Sequence, residues 1–177
     1  MSRRFEVSSL HALPIVAIYE GKVLGNVKDP IFDPDSHTLI GLTFGGKNGD
    51  GERFVDRAHV LRLGPHAVTV LYAADAGRVN DNDRAREIVE SRVRVRGAPV
   101  LTDTGEPIGK VDKVWIDETG SVVQYRASNG GWGFLGSHEI APEEVVVIGE
   151  DVVIVSSEAI AGHRNGDELP PRRSGEP

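Results

Sequence analysis

The chain has 177 residues, 39% hydrophobic and 27% charged, a balance that suits one globular domain or two small ones. Its formal net charge of −7 argues against general attraction to phosphate backbones, and the absence of cysteine excludes disulfides, thiolate metal sites and thiol catalysis. No stretch approaches the roughly 20 apolar residues that span a bilayer. The basic start, MSRRFEVSSL, has no apolar segment behind it, so no secretory signal is expected and a cytoplasmic location fits.

Residues 1–12 read as a short lead-in, with Ser8 and Ser9 starting a helical turn. LPIVAIYE, residues 13–20, is expected as a strand entering a turn at Gly21, and residues 23–33 as the next strand. The apolar positions there change phase at Gly25, where a bulge or sharp bend is predicted. Pro34 pre-sets the following turn, and residues 38–44 form the return strand. A Gly-rich connection, GGKNGDGER, leads to a short strand at 53–56, and residues 56–72 hold two apolar strands separated by a turn at Gly64. Residues 75–91 read as a linker in which Asn82 or Asp83 caps a short helix. Asp83 and Arg86 fall at helical neighbour spacing in it. RVRVR then alternates like a strand, putting Arg92, Arg94 and Arg96 on one side.

From here the pattern returns. Gly25, Val27, Phe32 and Asp33 recur at one constant spacing as Gly109, Val111, Ile116 and Asp117. DETG replaces DPDSH as the turn, with Gly120 in the left-handed position. Residues 121–126 are the return strand, NGGWGFLGSH the second Gly-rich loop and 138–141 the short strand. The final strand pair, residues 141–157, turns at Gly149, the counterpart of Gly64. Five or six hairpin-linked strands per copy predict an all-β protein of two small barrels with a helical linker. Copy one covers residues 8–74 and copy two 92–160; the tail, 161–177, has little to bury and is expected to be disordered.

These elements resemble the PRC-barrel domain, found in the photosynthetic reaction-centre H subunit and at the C-terminus of a ribosome maturation factor. In copy two GEPIGKVDKVWID, GGWGFLGSHEIAPEEV and VVVIGEDVVIV carry the resemblance; in copy one it runs from LPIVAIYEGKVLGNVKDPIFD to LGPHAVTVLY. The resemblance implies two tandem PRC-type β-barrels used as an interaction module without catalysis of its own. Neither the reaction-centre nor the ribosomal role carries over: the first needs a membrane helix, and the second a different first barrel.

The chemistry-bearing motifs are weak. GLTFGGKN, residues 41–48, matches G-x-x-x-x-G-K, but Asn48 stands where a phosphate loop needs Ser or Thr, and no helix can begin at NGDGER. A hairpin loop is the better reading. Asp33 with Asp35, and Asp81 with Asp83, suit turns and helix caps; Glu143 and Glu144 suit a solvated turn. The six histidines form no metal-ligand spacing, and His59 and His138 are expected near the barrel surface. No catalytic, cofactor or metal residue is assigned. Trp132, Phe134 and Leu135 lie among glycines, either plugging a barrel end or exposed for contact. The candidate partner-binding residues are these three with Arg92, Arg94 and Arg96, a basic stripe for an anionic partner or a salt-bridged face. The expected function is a non-catalytic protein-interaction or assembly module, with self-association included. A ribosome- or RNA-associated factor is the alternative, and small-molecule binding in the cleft between the barrels ranks last.

Overall fold

In a computed structural model, residues 3–46, 51–129, 136–158 and 160 are described. Two seven-stranded sheets, each curling part-way into a barrel, carry the two copies. In copy one the strands are β2 (Pro14–Ala17), β3 (Lys22–Asp33), β4 (Thr38–Gly46), β5 (Glu52–Asp56), β6 (Val60–Leu63) and β7 (Val68–Val70). Their counterparts in copy two are β9 (Pro99–Thr102), β10 (Pro107–Ile116), β11 (Val122–Ser128), β12 (His138–Ile140), β13 (Val145–Ile148) and β14 (Val153–Val155). In each copy the first strand pairs antiparallel with the long second strand and parallel with the last. Two further short strands, β1 (Phe5–Glu6) and β8 (Ala76–Gly77), complete the sheets, and α1 (Asp83–Ser91) lies between the copies in sequence.

The bulge predicted at the glycines is present twice. The β2–β3 register slips between Ile15 and Val16 opposite Gly25 and Val23, and the β9–β10 register slips between Pro107 and Gly109. The bend carries each long strand tightly across its neighbour. A Cβ on Gly25 would sit 2.0 Å from the Gly45 carbonyl oxygen, and one on Gly109 2.7 Å from that of Ser128. Only glycine lets the backbones approach so closely. The turns repeat as well: Gly64 N–H donates to Ala67 O and Gly149 N–H to Val152 O, both at 2.9 Å.

The hairpin turns are held by their own side chains. Asp33 Oδ1 accepts from the N–H of Asp35, and Asp117 Oδ1 accepts from the N–H groups of Thr119 and Ser121, with Gly120 at φ 90°. These two equivalent turns meet and join the copies. Leu39 N–H donates to Gly120 O and Val122 N–H to His37 O, each at 2.8 Å. Arg57 donates to the carbonyls of Glu118 and Thr119. One apolar core, including Leu10, Ile15, Leu42 and Phe44 from copy one and Val111, Ile116, Ile140 and Val155 from copy two, runs through both sheets.

Three features depart from the sequence reading. Phe5 and Glu6 are not a mere lead-in: β1 pairs with Ile116 and Trp115 of copy two's β10. Residues 75–91 do more than link the barrels. β8 pairs with β5, and α1, capped by Asn82 through Ala85 N–H, is docked on copy one. Ala85 and Ile88 pack with Ile31 and Phe54, while Arg84 makes a fork to Asp33 at 2.7 and 3.0 Å and reaches Asp35 at 2.6 Å. Third, RVRVR is not a strand; copy two's sheet begins at Pro99. Residues 92–97 hold the place that the 3-10 turn Val7–Leu10 and Ala12 hold in copy one. Ala12 N–H donates to Val27 O and Gly97 N–H to Val111 O, and both residues have positive φ. Alternating burial survives without a ladder, with the arginines exposed and Val93 and Val95 half-buried.

Candidate functional site

Several sequence candidates are absorbed by structure. Residues 41–46 of the G-x-x-x-x-G-K pattern lie in β4, with Gly41 paired to Ile31 and Asp56, so no loop-to-helix phosphate cradle forms there. Asp33 and Asp35 accept from Arg84, which holds the Asp33 carboxyl down at about 2, with backbone N–H groups helping. Asp81 accepts from Arg78 N–H, Asp83 pairs with Arg86, and Glu144 accepts from Ala141 N–H. Among the described residues no three His, Asp or Glu side chains gather as a metal-binding group. His59 is exposed and His138 half-buried. Trp132, Phe134 and Leu135, like the tail 161–177, lie outside the described residues.

Two surfaces stand out instead. The first is at one end of copy one's sheet, where β2 and β7 run out side by side. Ile18 and Tyr19 N–H groups continue the ladder to the carbonyls of Val70 and Leu71. At this end the side chains of Ile18, Tyr19, Leu71 and Tyr72 are 48%, 69%, 39% and 46% exposed. The two tyrosine rings stack, with centroids 4.8 Å apart and planes 9° from parallel. Copy two makes the same backbone contact, Asp103 N–H to Val155 O, but carries Asp103, Thr104, Ser156 and Ser157 there. The copies have diverged from polar to apolar at one equivalent site. The sequence carries this difference at the aligned strand ends, where Tyr19 and Tyr72 stand against Thr104 and Ser157.

The second surface is a groove of about 590 Å³ between the copies. Equivalent segments of both halves line it: β3 around Lys28 and β10 around Lys113, then the lead-in turn with Glu6 and His11 facing residues 92–96. Its charges are mostly matched. Lys28 pairs with Glu52 at 2.5 Å, Lys113 with Glu6 at 3.0 Å, and Arg126 with Asp112. Ser8 and Lys113 together hold the Glu6 carboxyl below its usual range. Arg92, Arg94 and Arg96 all line the groove and make no ion pair among the described residues.

The duplicated curled sheet, with a bulged long strand in each half, defines a tandem small-barrel protein. The PRC-barrel domain family matches residues 3–76 and again 87–159, and the chain belongs to that family. The match says nothing of which kind of PRC barrel either half most resembles. No curated protein matched the chain in comparison. No helix among the described residues is long and apolar enough to cross a membrane.

Proposed function

We propose that this chain is a non-catalytic interaction module whose main contact surface is the tyrosine-bearing end of copy one, and that it works in the cytoplasm. The observation that carries this is the patch of Ile18, Tyr19, Leu71 and Tyr72, apolar and exposed where the sister barrel is polar. Covering the exposed apolar part of these side chains favours association. Stacked tyrosines also present flat apolar faces with hydroxyl groups at the rim, a combination common at protein contacts. The ribosome- or RNA-associated reading rests on Arg92, Arg94 and Arg96; Glu6, Asp29, Glu52 and Asp112 in the same groove weigh against a phosphate chain there.

The test replaces Tyr19 with Thr and Tyr72 with Ser, the residue types that copy two carries at these sites. Light scattering over a concentration series reads self-association. Co-purification, followed by re-forming the complex from purified components, reads a different partner. The double variant is expected to lose the association while keeping its melting temperature. Association at wild-type strength by the folded variant would refute the proposal.

A further inference from the structure

The groove between the copies shares no lining residue with the tyrosine-bearing end. Residues 92–96 leave α1 at Arg92, whose φ of 58° ends the helix, and reach the turn at Gly97. Along this stretch the side chains alternate, arginines exposed and Val93 and Val95 half-buried against the core. The backbone is as free as the guanidinium groups. Among the described residues no N–H of Val93, Arg94, Val95 or Arg96 finds a backbone carbonyl, and the carbonyls of Val93 and Arg94 accept from no N–H. The stretch is short and closes in a turn, Ala98 N–H donating to Val95 O at 3.2 Å.

Charge in the groove sharpens the case. Once Lys28, Lys113 and Arg126 are matched to Glu52, Glu6 and Asp112, three arginines face Asp29 alone, in a chain whose net charge is −7. Copy one carries Val7, Ser9 and His11 at the equivalent places. The positive rail is therefore peculiar to copy two. Three guanidinium groups without carboxylate partners call for a ligand that carries several carboxylates. Apolar residues between them would meet Val89, Val93 and Val95, which also line the groove.

From this we infer that the inter-barrel groove binds an acidic peptide segment, in which carboxylate residues are interspersed with apolar ones, at Arg92, Arg94 and Arg96. Side-chain charge sets the choice of partner. A nucleic acid fits less well. Its sugar–phosphate chain has no apolar side chains to set against Val89, Val93 and Val95.

Fluorescence anisotropy on the full chain tests this with a short labelled peptide of alternating Glu and Val, the same peptide with Gln for Glu, and an oligouridylate. The Glu peptide is expected to bind, with affinity falling as salt rises, and the other two to bind at least about tenfold more weakly. The variant carrying Arg94→Glu and Arg96→Glu should lose about tenfold or more for the Glu peptide, with an unchanged circular dichroism spectrum; both side chains are exposed and unpaired, so the fold does not depend on them. The Tyr19→Thr, Tyr72→Ser variant should bind it as the parent does, which separates this site from the tyrosine surface. Equal binding of the Gln peptide, tighter binding of the oligouridylate, or undiminished binding by the arginine variant would each overturn the inference.

Discussion

His37 Nδ1 and Tyr125 Oη lie 2.7 Å apart across the junction of the two sheets, one residue from each copy. Burial pushes the Tyr125 phenol far up, so it stays protonated in this hydrogen bond. Burial also pushes the His37 imidazole below its usual 6.5, while Asp33 and Asp35 pull the other way. The unfolded chain therefore takes up a proton at a pH where the folded chain still resists it. Stability is complete above 6.5 and is lost as pH falls through the window down to the lowered value.

Urea midpoints measured from pH 7.5 down to 5 should accordingly decline for the parent chain and hold nearly level for His37→Gln. An equal decline in that variant would place the proton elsewhere. Tyr125→Phe should cost about 1 kcal/mol at neutral pH, the loss of one partly buried hydrogen bond.

Gly25 and Gly45 are neighbours across β3 and β4, yet they should answer substitution in opposite ways. A methyl group on Gly25 would strike the Gly45 carbonyl at 2.0 Å and the Phe44 ring at 2.8 Å, whereas one on Gly45 meets nothing within 4 Å. Gly25→Ala is expected to destabilise by about 3 kcal/mol, and Gly45→Ala by less than about 0.5 kcal/mol. Chemical denaturation of the two variants checks this, and similar losses from both would show that the strands separate easily.

Helix α1 is held by a small core of its own. Ile88 is 7% exposed and packs with Ile31, Phe54 and Ala85. Ile88→Ala should cost about 2–4 kcal/mol and open the chain to trypsin at Arg84 and Arg86 before the sheets unfold. The Asp33–Arg84 fork adds an acid limb. With the Asp33 carboxyl held at about 2 against 3.8, its contribution is full above 3.8 and disappears as pH falls toward 2. Asp33→Asn should remove that limb, as read from denaturation midpoints between pH 2 and 5.

What the sequence made legible is what neighbouring residues decide. Gly25 and Gly109 marked their bends, Asp33 and Asp117 their turns, and Gly64 and Gly149 the last hairpins, because each feature is set by backbone limits within a few residues. The pairing of Phe5 with Ile116 has no such local sign, since both are simply apolar residues in strand-like surroundings. RVRVR had a strand's alternation, but a strand needs a neighbour, and that is settled by tertiary placement. Tyr19 and Tyr72 fall near the ends of expected strands far apart in sequence; only the parallel pairing of β2 with β7 brings them into one stack.

The position of β1 bears on how the molecule is made. Its two residues come ahead of the first barrel but close the sheet of the second, and Glu6 reaches Lys113, 107 residues onward. During synthesis Phe5 is exposed long before residues 115–116 exist. This seam, like the turn contacts of Leu39 with Gly120 and His37 with Val122, waits for copy two, so union of the halves follows the making of the first sheet.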